Sequence, residues 1–208
     1  MTGKSRIPCA PAAQPVSGTG PATGSSPAAK AALRAALKEQ RRTLEAAIKQ
    51  EWDRRIGEHL LRWWRQSQAP QLGVYWPLYG EPDLHPAYFE LAEAGVRLAL
   101  PVVVARDAAL AFAGWTPGEA MVQDPMGVAV PSELRFVERP SALLVPCLGF
   151  NALNFRLGYG GGYYDRTLAE APRPFTLGVA YDCQQVEFDA DSHDIPLNAM
   201  LTERMGPA

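Results

Sequence analysis

The sequence predicts an α/β fold: a three-layer α/β sandwich with a mostly parallel or mixed central sheet, preceded by a helical N-terminal region. Short apolar, β-prone runs at residues 72–76, 97–104, 142–145 and 176–180 are separated by stretches long enough for helices or long loops. Strands that alternate with helices favour a sheet covered by helices rather than an all-β sandwich. Residues 28–65 carry helix formers and helical spacing before the first such run. Hydrophobic types make up 47% of the 208 residues, enough for one sizeable core in one domain. The expected organisation is a disordered tail over residues 1–26 and a single α/β catalytic domain over residues 27–208.

Residues 1–26 are rich in Pro, Gly, Ser and Ala, and such a segment buries too little apolar surface to offset the entropy of ordering. Ser26-Pro27 reads as a helix start, because serine caps N-termini well and proline suits the first helical position. The first helix is expected over residues 28–40. A second is expected over 44–65, where Ile48, Trp52, Ile56, Leu60 and Trp64 recur every four residues as a buried stripe. Pro70 closes that region. Residues 72–76 then read as a strand, 85–94 as a helix ended by Gly95, and 97–104 as a strand that contains Pro101. Residues 110–113 and 142–145 are short strands, the second stopped by Pro146. Residues 149–162 form a glycine-rich loop, 163–169 open a helix, and 176–180 form a further strand. No internal repeat is present.

Charge and cysteine content exclude several classes. A formal net charge of -2 and a pI near 5.9 give no global basic excess for nucleic acid, so any anion must be met by local groups. Three cysteines at no metal-like spacing argue against a disulfide scaffold or a zinc site and fit a reducing cytoplasm. No apolar run reaches the roughly 18 residues that span a membrane, and the N-terminus does not read as a signal peptide. The expectation is a soluble, cytoplasmic protein.

The segment richest in chemistry is residues 143–165. A short strand runs into Pro146, then a long loop, a glycine cluster, and Tyr163-Tyr164-Asp165. Glycine permits positive φ and removes side chains that would block a ligand. Successive backbone N–H groups of Gly158, Gly160, Gly161 and Gly162 at a loop-to-helix junction suit an anion. Arg156 adds a fixed cation suited to a phosphate oxygen pair. Asp165 stands where a carboxylate could hold magnesium beside phosphates. Neither a Walker A loop nor a dinucleotide fingerprint fits, since no Gly-Lys-Ser/Thr follows and the third glycine is misplaced. Bulky aromatics beside the glycines suit a planar ligand, such as a pterin or adenine.

The run Val145-Pro146-Cys147-Leu148-Gly149-Phe150, followed by Arg156-Leu157-Gly158-Tyr159-Gly160-Gly161-Gly162-Tyr163-Tyr164-Asp165, resembles the signature of the 5-formyltetrahydrofolate cyclo-ligase family. The resemblance extends over roughly residues 30–203. Lys30 and Arg34, four apart and so on one helix face, match the family's Lys-x-x-x-Arg. The stretch from Tyr75-Trp76 to Gly80-Glu81 looks like its folate-contacting segment. Residues 110–131, with Trp115, Gly118-Glu119 and Met126-Gly127, are similar to a third segment, although Val128-Ala129-Val130 replaces its usual acid before Pro131. His193-Asp194-Ile195-Pro196-Leu197-Asn198 resembles the C-terminal motif, with Asn198 where the family usually has aspartate. Trp115 reads equally well as core or as a ligand contact.

The resemblance implies ATP-dependent cyclisation of 5-formyltetrahydrofolate to 5,10-methenyltetrahydrofolate, through a phosphorylated formyl oxygen. It implies an ATP site made by Lys30, Arg34, Arg156, Leu157, Gly158, Tyr159, Gly160, Gly161, Gly162, Tyr163 and Tyr164. Trp76, Glu81, Tyr159 and Tyr163 would contact folate, and Asp165 and Asp194 would hold Mg2+. The partner is then a small reduced folate, with no nucleic acid or membrane, and the chain a monomer or weak dimer. Two other readings stay open: a paralogue that activates a different carbonyl substrate, and a non-catalytic folate- or nucleotide-binding protein. No Ser-His-Asp or Cys-His arrangement is evident, and Cys147 has no neighbouring base in the sequence.

Overall fold

The computed structural model describes residues 26–207; the expectation for a disordered tail lies, apart from Ser26, outside the described residues. Helix α1 spans Pro27–Arg42, with the Ser26 hydroxyl accepting from the Ala29 N–H at 3.2 Å. Helix α2 spans Ala46–Ser67 and buries Ile56 and Leu60 completely. The four-residue stripe is buried only at its middle, where those two residues lie, and Ile48, Trp52 and Trp64 are half-buried. With 3.6 residues per turn, a strict four-residue repeat drifts by about 40° per step, so the stripe winds off the core face and Leu61 and Trp63 enter it.

Strand β1 (Gln71–Gly73) is followed by helix α3 (His85–Glu93) and strand β2 (Arg97–Val102). Strand β3 (Ala111–Trp115) pairs antiparallel with β2, and β4 (Met121–Gln123) and β5 (Ala129–Pro131) form a separate hairpin. Next come β6 (Phe136–Val137), β7 (Ala142–Pro146), β8 (Gly149–Phe150), β9 (Arg156–Leu157), helix α4 (Tyr163–Ala169), β10 (Phe175–Val179) and β11 (Ala199–Leu201). The seven-stranded sheet runs β11-β10-β7-β1-β2-β3-β6, parallel from β11 to β2 and antiparallel at β3 and β6. This is the mixed sheet that the sequence predicts. The expected uniform loop over 149–162 is interrupted by the small β8–β9 pair, whose two-residue strands are too short to leave a periodic signal.

Alternation within the strands sorts the core into two layers. Leu98, Leu100, Leu144 and Leu177 point to the face covered by α2 and α3. Ala99, Leu143 and Val145 point to the opposite face, where Leu168 of α4 and Phe150 pack. Each fully buried Leu or Ile contributes about 1.5–3 kcal/mol, so these two layers hold the sheet between helices on both sides. Helix α1 sits elsewhere: Leu37 packs with Leu148, Leu157 and Phe188, which places the helix against the glycine-bearing segment.

The chain moves from β1 outward to β2 and β3, then returns to β7 on the other side of β1 and proceeds to β10 and β11. That reversal leaves a crevice beyond the carboxyl ends of β1 and β7, where open α/β sheets place their ligands.

Candidate active site

A cleft of about 480 Å³ opens at that crevice, lined by Trp76 and Glu81 after β1, Pro101 of β2, Pro146 at the end of β7, and Arg156, Tyr159, Gly161, Gly162, Tyr163 and Tyr164. Met126 and Val128, between β4 and β5, line it from the mouth.

The turn after β1 is built to hold one carboxylate. The Glu81 N–H donates to the Leu78 carbonyl at 2.9 Å, and the Glu81 Oε2 accepts from the Leu78 N–H at 2.8 Å. Tyr79 and Gly80 both take left-handed backbone, φ 49 and 75, a strained choice for tyrosine that this closed turn maintains. The buried Tyr75 hydroxyl donates to the Pro82 carbonyl at 2.7 Å and fixes the far side of the turn. Glu81 is 3% exposed, and burial pushes its carboxyl above the usual glutamate range. The N–H of Leu78, the hydroxyl of Tyr159 and the charge of Arg41 oppose that rise. Trp76 stands edge-on to His85, centroids 4.5 Å apart, and to Trp115 at 6.1 Å. Trp115 is 5% exposed and belongs to the core, so it backs Trp76 rather than facing the cleft.

The glycine loop turns by positive φ at Gly160 (98) and Gly162 (65). A Cβ on Gly161 would meet the Tyr163 ring at 2.9 Å, so only glycine lets that ring lie against the loop. Among the described residues, the backbone N–H groups of Gly160 and Gly161 make no hydrogen bond. Leu157 is buried beneath the loop with Leu37 and Leu148, a packing residue rather than a surface for ligand. Arg156 Nη2 lies 2.8 Å from Asp165 Oδ2 in an ion pair, its guanidinium lies over the Tyr164 ring, and its buried Nε has no partner.

The two basic residues at the start of α1 reach different places. The Arg34 Nε donates to the Gly158 carbonyl at 2.9 Å. The buried Lys30 ammonium lies 2.7 Å from Asp191 Oδ2 and 3.7 Å from Asp194 Oδ2. Lys30 holds the Asp191 carboxyl below the usual range, chiefly through that hydrogen bond. Asp191, His193 and Asp194 can bring one ligand atom each within 4.8 Å of one another. The two aspartates expected to share a metal are thus held by different cations, Asp165 by Arg156 and Asp194 beside Lys30.

Asn198 has a structural task. Its Oδ1 accepts from the Thr176 N–H at 2.8 Å and the Thr176 hydroxyl at 2.9 Å, tying the start of β11 to β10. Cys147 is fully buried, and burial pushes its thiol up to about 12, which removes it as a nucleophile.

Arg41 escaped the sequence reading. It is 3% exposed and donates to the Tyr159 hydroxyl, the Cys147 carbonyl and Gln184 Oε1. Its signal was present: Lys30, Arg34, Leu37 and Arg41 fall at i, i+4, i+7 and i+11, one continuous face of α1. Asp191, the closer partner of Lys30, carried no local pattern at all.

Comparisons with known proteins point to one family. The sequence model of the 5-formyltetrahydrofolate cyclo-ligase family matches residues 26–203. The chain is 32% identical over 174 residues to the 5-formyltetrahydrofolate cyclo-ligase of Escherichia coli K12, covering 80% of this chain and 96% of that protein. It is 30% identical over 197 residues to the cyclo-ligase of Mycolicibacterium smegmatis, covering 87% and 97%. The solved 5,10-methenyltetrahydrofolate synthetase of Mycoplasma pneumoniae superposes with a TM-score of 0.71 at 26% identity, over 84% of this chain and 98% of that one. The Aquifex aeolicus enzyme of the same name gives 0.73 at 27%, over 85% and 90%. A match across nearly the whole described chain, with the same fold, places this protein in the 5-formyltetrahydrofolate cyclo-ligase family.

Proposed function

We propose that this protein converts 5-formyltetrahydrofolate to 5,10-methenyltetrahydrofolate, with ATP going to ADP and phosphate. One observation carries the reading: Trp76 and Glu81 face the same cleft as Arg156 and the glycine loop. A folate and a phosphate donor would therefore meet there.

The residues suit a nucleotide. Arg156 has an unpartnered buried Nε, and the Gly160 and Gly161 N–H groups are free to bind an anion. Arg156 is paired with Asp165, and Lys30 with Asp191 and, at 3.7 Å, with Asp194, so each cation has a carboxylate partner. Phosphates and a divalent cation arriving together would give both halves of each pair a new partner, so no buried charge is stranded. Magnesium, held by Asp165 and Asp194 with phosphate and water, would neutralise charge on the phosphates.

An amide oxygen leaves poorly, and the proposed chemistry converts it to phosphate. The formyl oxygen attacks the terminal phosphorus, and the bond to ADP breaks with its electron pair leaving on ADP. The folate N10 amine then adds to the activated carbon, loses its proton, and phosphate departs. Such a reaction needs positioning and charge neutralisation rather than a protein nucleophile. Glu81 accepts the pterin N–H groups, and Trp76 and Tyr163 flank its rings. Lys30, Arg34 and Arg156 meet the phosphates.

The test is direct. Purified protein mixed with 5-formyltetrahydrofolate, ATP and Mg2+ should develop the near-ultraviolet absorbance of the methenyl product, and omitting ATP should abolish it. A flat trace with all components overturns the proposal. Arg156→Ala should raise the KM for ATP at least roughly tenfold, the loss of one charged hydrogen bond.

A further inference from the structure

Arg41 lies outside the motifs that carry the family resemblance, yet it contacts the segment after β7, the glycine loop and the turn after β1. Its Nη2 donates to the Cys147 carbonyl at 2.7 Å, after β7, and to Gln184 Oε1 at 2.9 Å. Its Nη1 donates to the Tyr159 oxygen in the glycine loop at 2.8 Å. Its aliphatic stem supports the turn after β1: a Cβ on Gly80 would lie 3.2 Å from Arg41 Cγ.

The Tyr159 hydroxyl has one proton. Its oxygen accepts from the guanidinium, and its proton goes to Glu81 Oε1 at 2.8 Å. With a cation fixed on the oxygen, the O–H is directed away from it, toward the carboxylate, and the two bonds polarise one another. A chain with buried ends and a part-buried middle therefore runs from α1 through the glycine loop to the turn after β1: Arg41, Tyr159, Glu81. We propose that Arg41 is a positioning residue for substrate capture, which aims Tyr159 at Glu81 and so locks the glycine loop to the carboxylate that receives the folate. This rests on the reading of Glu81 as the acceptor for the pterin.

Arg41 also acts on Glu81 by charge. The groups that face Glu81 are Arg41 of α1, Tyr75 after β1, Tyr88 of α3, Cys147 after β7, Tyr159 of the glycine loop and Tyr164 of α4. The tyrosines and the thiol are raised by burial and stay neutral near pH 7. Lys38 and Arg156 are cations lining the same cleft. The Arg41 charge opposes the burial of Glu81 and favours the ionised, accepting form. Without it, Glu81 holds its proton to higher pH, and the acid limb of folate kcat/KM moves up.

The experiment compares Arg41→Lys, Tyr159→Phe and Glu81→Gln by steady-state kinetics across pH, with folding checked by circular dichroism. Tyr159→Phe breaks the chain and leaves the bonds of Arg41 to Cys147 and Gln184 in place. Arg41→Lys and Tyr159→Phe should each raise the KM for 5-formyltetrahydrofolate roughly tenfold, as for one hydrogen bond to a charged group. In both, the rise in the KM for folate should clearly exceed any rise in the KM for ATP. Tyr159→Phe should shift the acid limb upward by about one pH unit, since it too removes a bond to the ionised form. The double variant should lose little more than either single, because both cut the same chain. If Glu81→Gln leaves folate KM unchanged, the reading of Glu81 fails and the proposal falls with it. If Glu81→Gln impairs folate binding while Tyr159→Phe matches the native enzyme in KM and pH profile, the positioning role alone is overturned. Equal losses for both substrates with an unmoved acid limb would reduce Arg41 to a packing residue and overturn it as well. Should Arg41→Lys fail to fold, Tyr159→Phe decides by the same criteria.

Discussion

Asp165 and Asn198 show how differently two residues of the recognised motifs are used. Asp165 pairs with a nearly buried Arg156, at 2.8 Å, beside the free N–H groups of the glycine loop. Asp165→Ala leaves that arginine without its carboxylate and the proposed metal site without a ligand. Turnover should fall by at least about a thousandfold, while circular dichroism stays native; near-native methenyl formation would refute the magnesium assignment. A thousandfold is about 4 kcal/mol of transition-state stabilisation, within reach of one lost charge-stabilising group. Asn198 uses its amide oxygen only as an acceptor from Thr176. A carboxylate oxygen accepts equally well, so Asn198→Asp should keep both activity and stability, with a change within about 0.5 kcal/mol in thermal unfolding. A large loss would show that its NH2 group has a partner of its own. The departure from the family's pattern is thus absorbed by chemistry that the two side chains share.

At the scale of elements, the decisive contact is the docking of α1 on the β8–β9 pair. Gly149 makes it possible: an added Cβ would meet Leu37 Cδ1 at 2.8 Å, Val186 Cγ2 at 3.1 Å and the Gln184 carbonyl at 3.3 Å. Gly149→Ala should destabilise the fold by about 1–3 kcal/mol, as overpacking does. Adding Leu37→Ala should recover part of that loss, measured as a non-additive double-mutant cycle in denaturant unfolding. If the two losses simply add, the collision does not govern docking. Because α1 carries Lys30, Arg34 and Arg41, a shift of this helix would disturb the proposed phosphate and folate sides of the cleft together. Helix α1 itself was legible, from the Ser26-Pro27 start and the dense helix formers. Its seat was not, since β8 and β9 are two residues each and read only as loop.

For the whole molecule, the cleft lies where the winding of the sheet reverses between β1 and β7, and its walls come from segments far apart in sequence. A ligand that bridges those walls should stabilise the native state. At a nucleotide concentration near 100 times its Kd, the gain is about 2.7 kcal/mol. For a chain of this size that is roughly 5–10 °C in Tm. ADP with Mg2+ should produce such a shift in a thermal melt, and a chelator should diminish it. No shift at saturating ADP and Mg2+ would count against a nucleotide site. Among the described residues, no helix is long and apolar enough to cross a membrane.

The sequence by itself determined the fold class, the strongly periodic helices and the identity of the glycine-tyrosine-aspartate segment. Each of these is local: capping at Ser26, apolar spacing in α2, backbone freedom at Gly160 and Gly162. Family likeness then named Trp76, Glu81, Lys30 and Asp194 as companions from elsewhere in the chain. Only the tertiary structure decided how charges are partnered. Lys30 meets Asp191 across 161 positions, and Arg41 meets Tyr159 across 118. Such pairs leave no periodic trace, because burying a charge demands a partner but does not demand that the partner be near in sequence. The strict four-residue stripe of α2 failed at its ends for a related reason: which face is buried depends on the layer it meets, not on spacing alone.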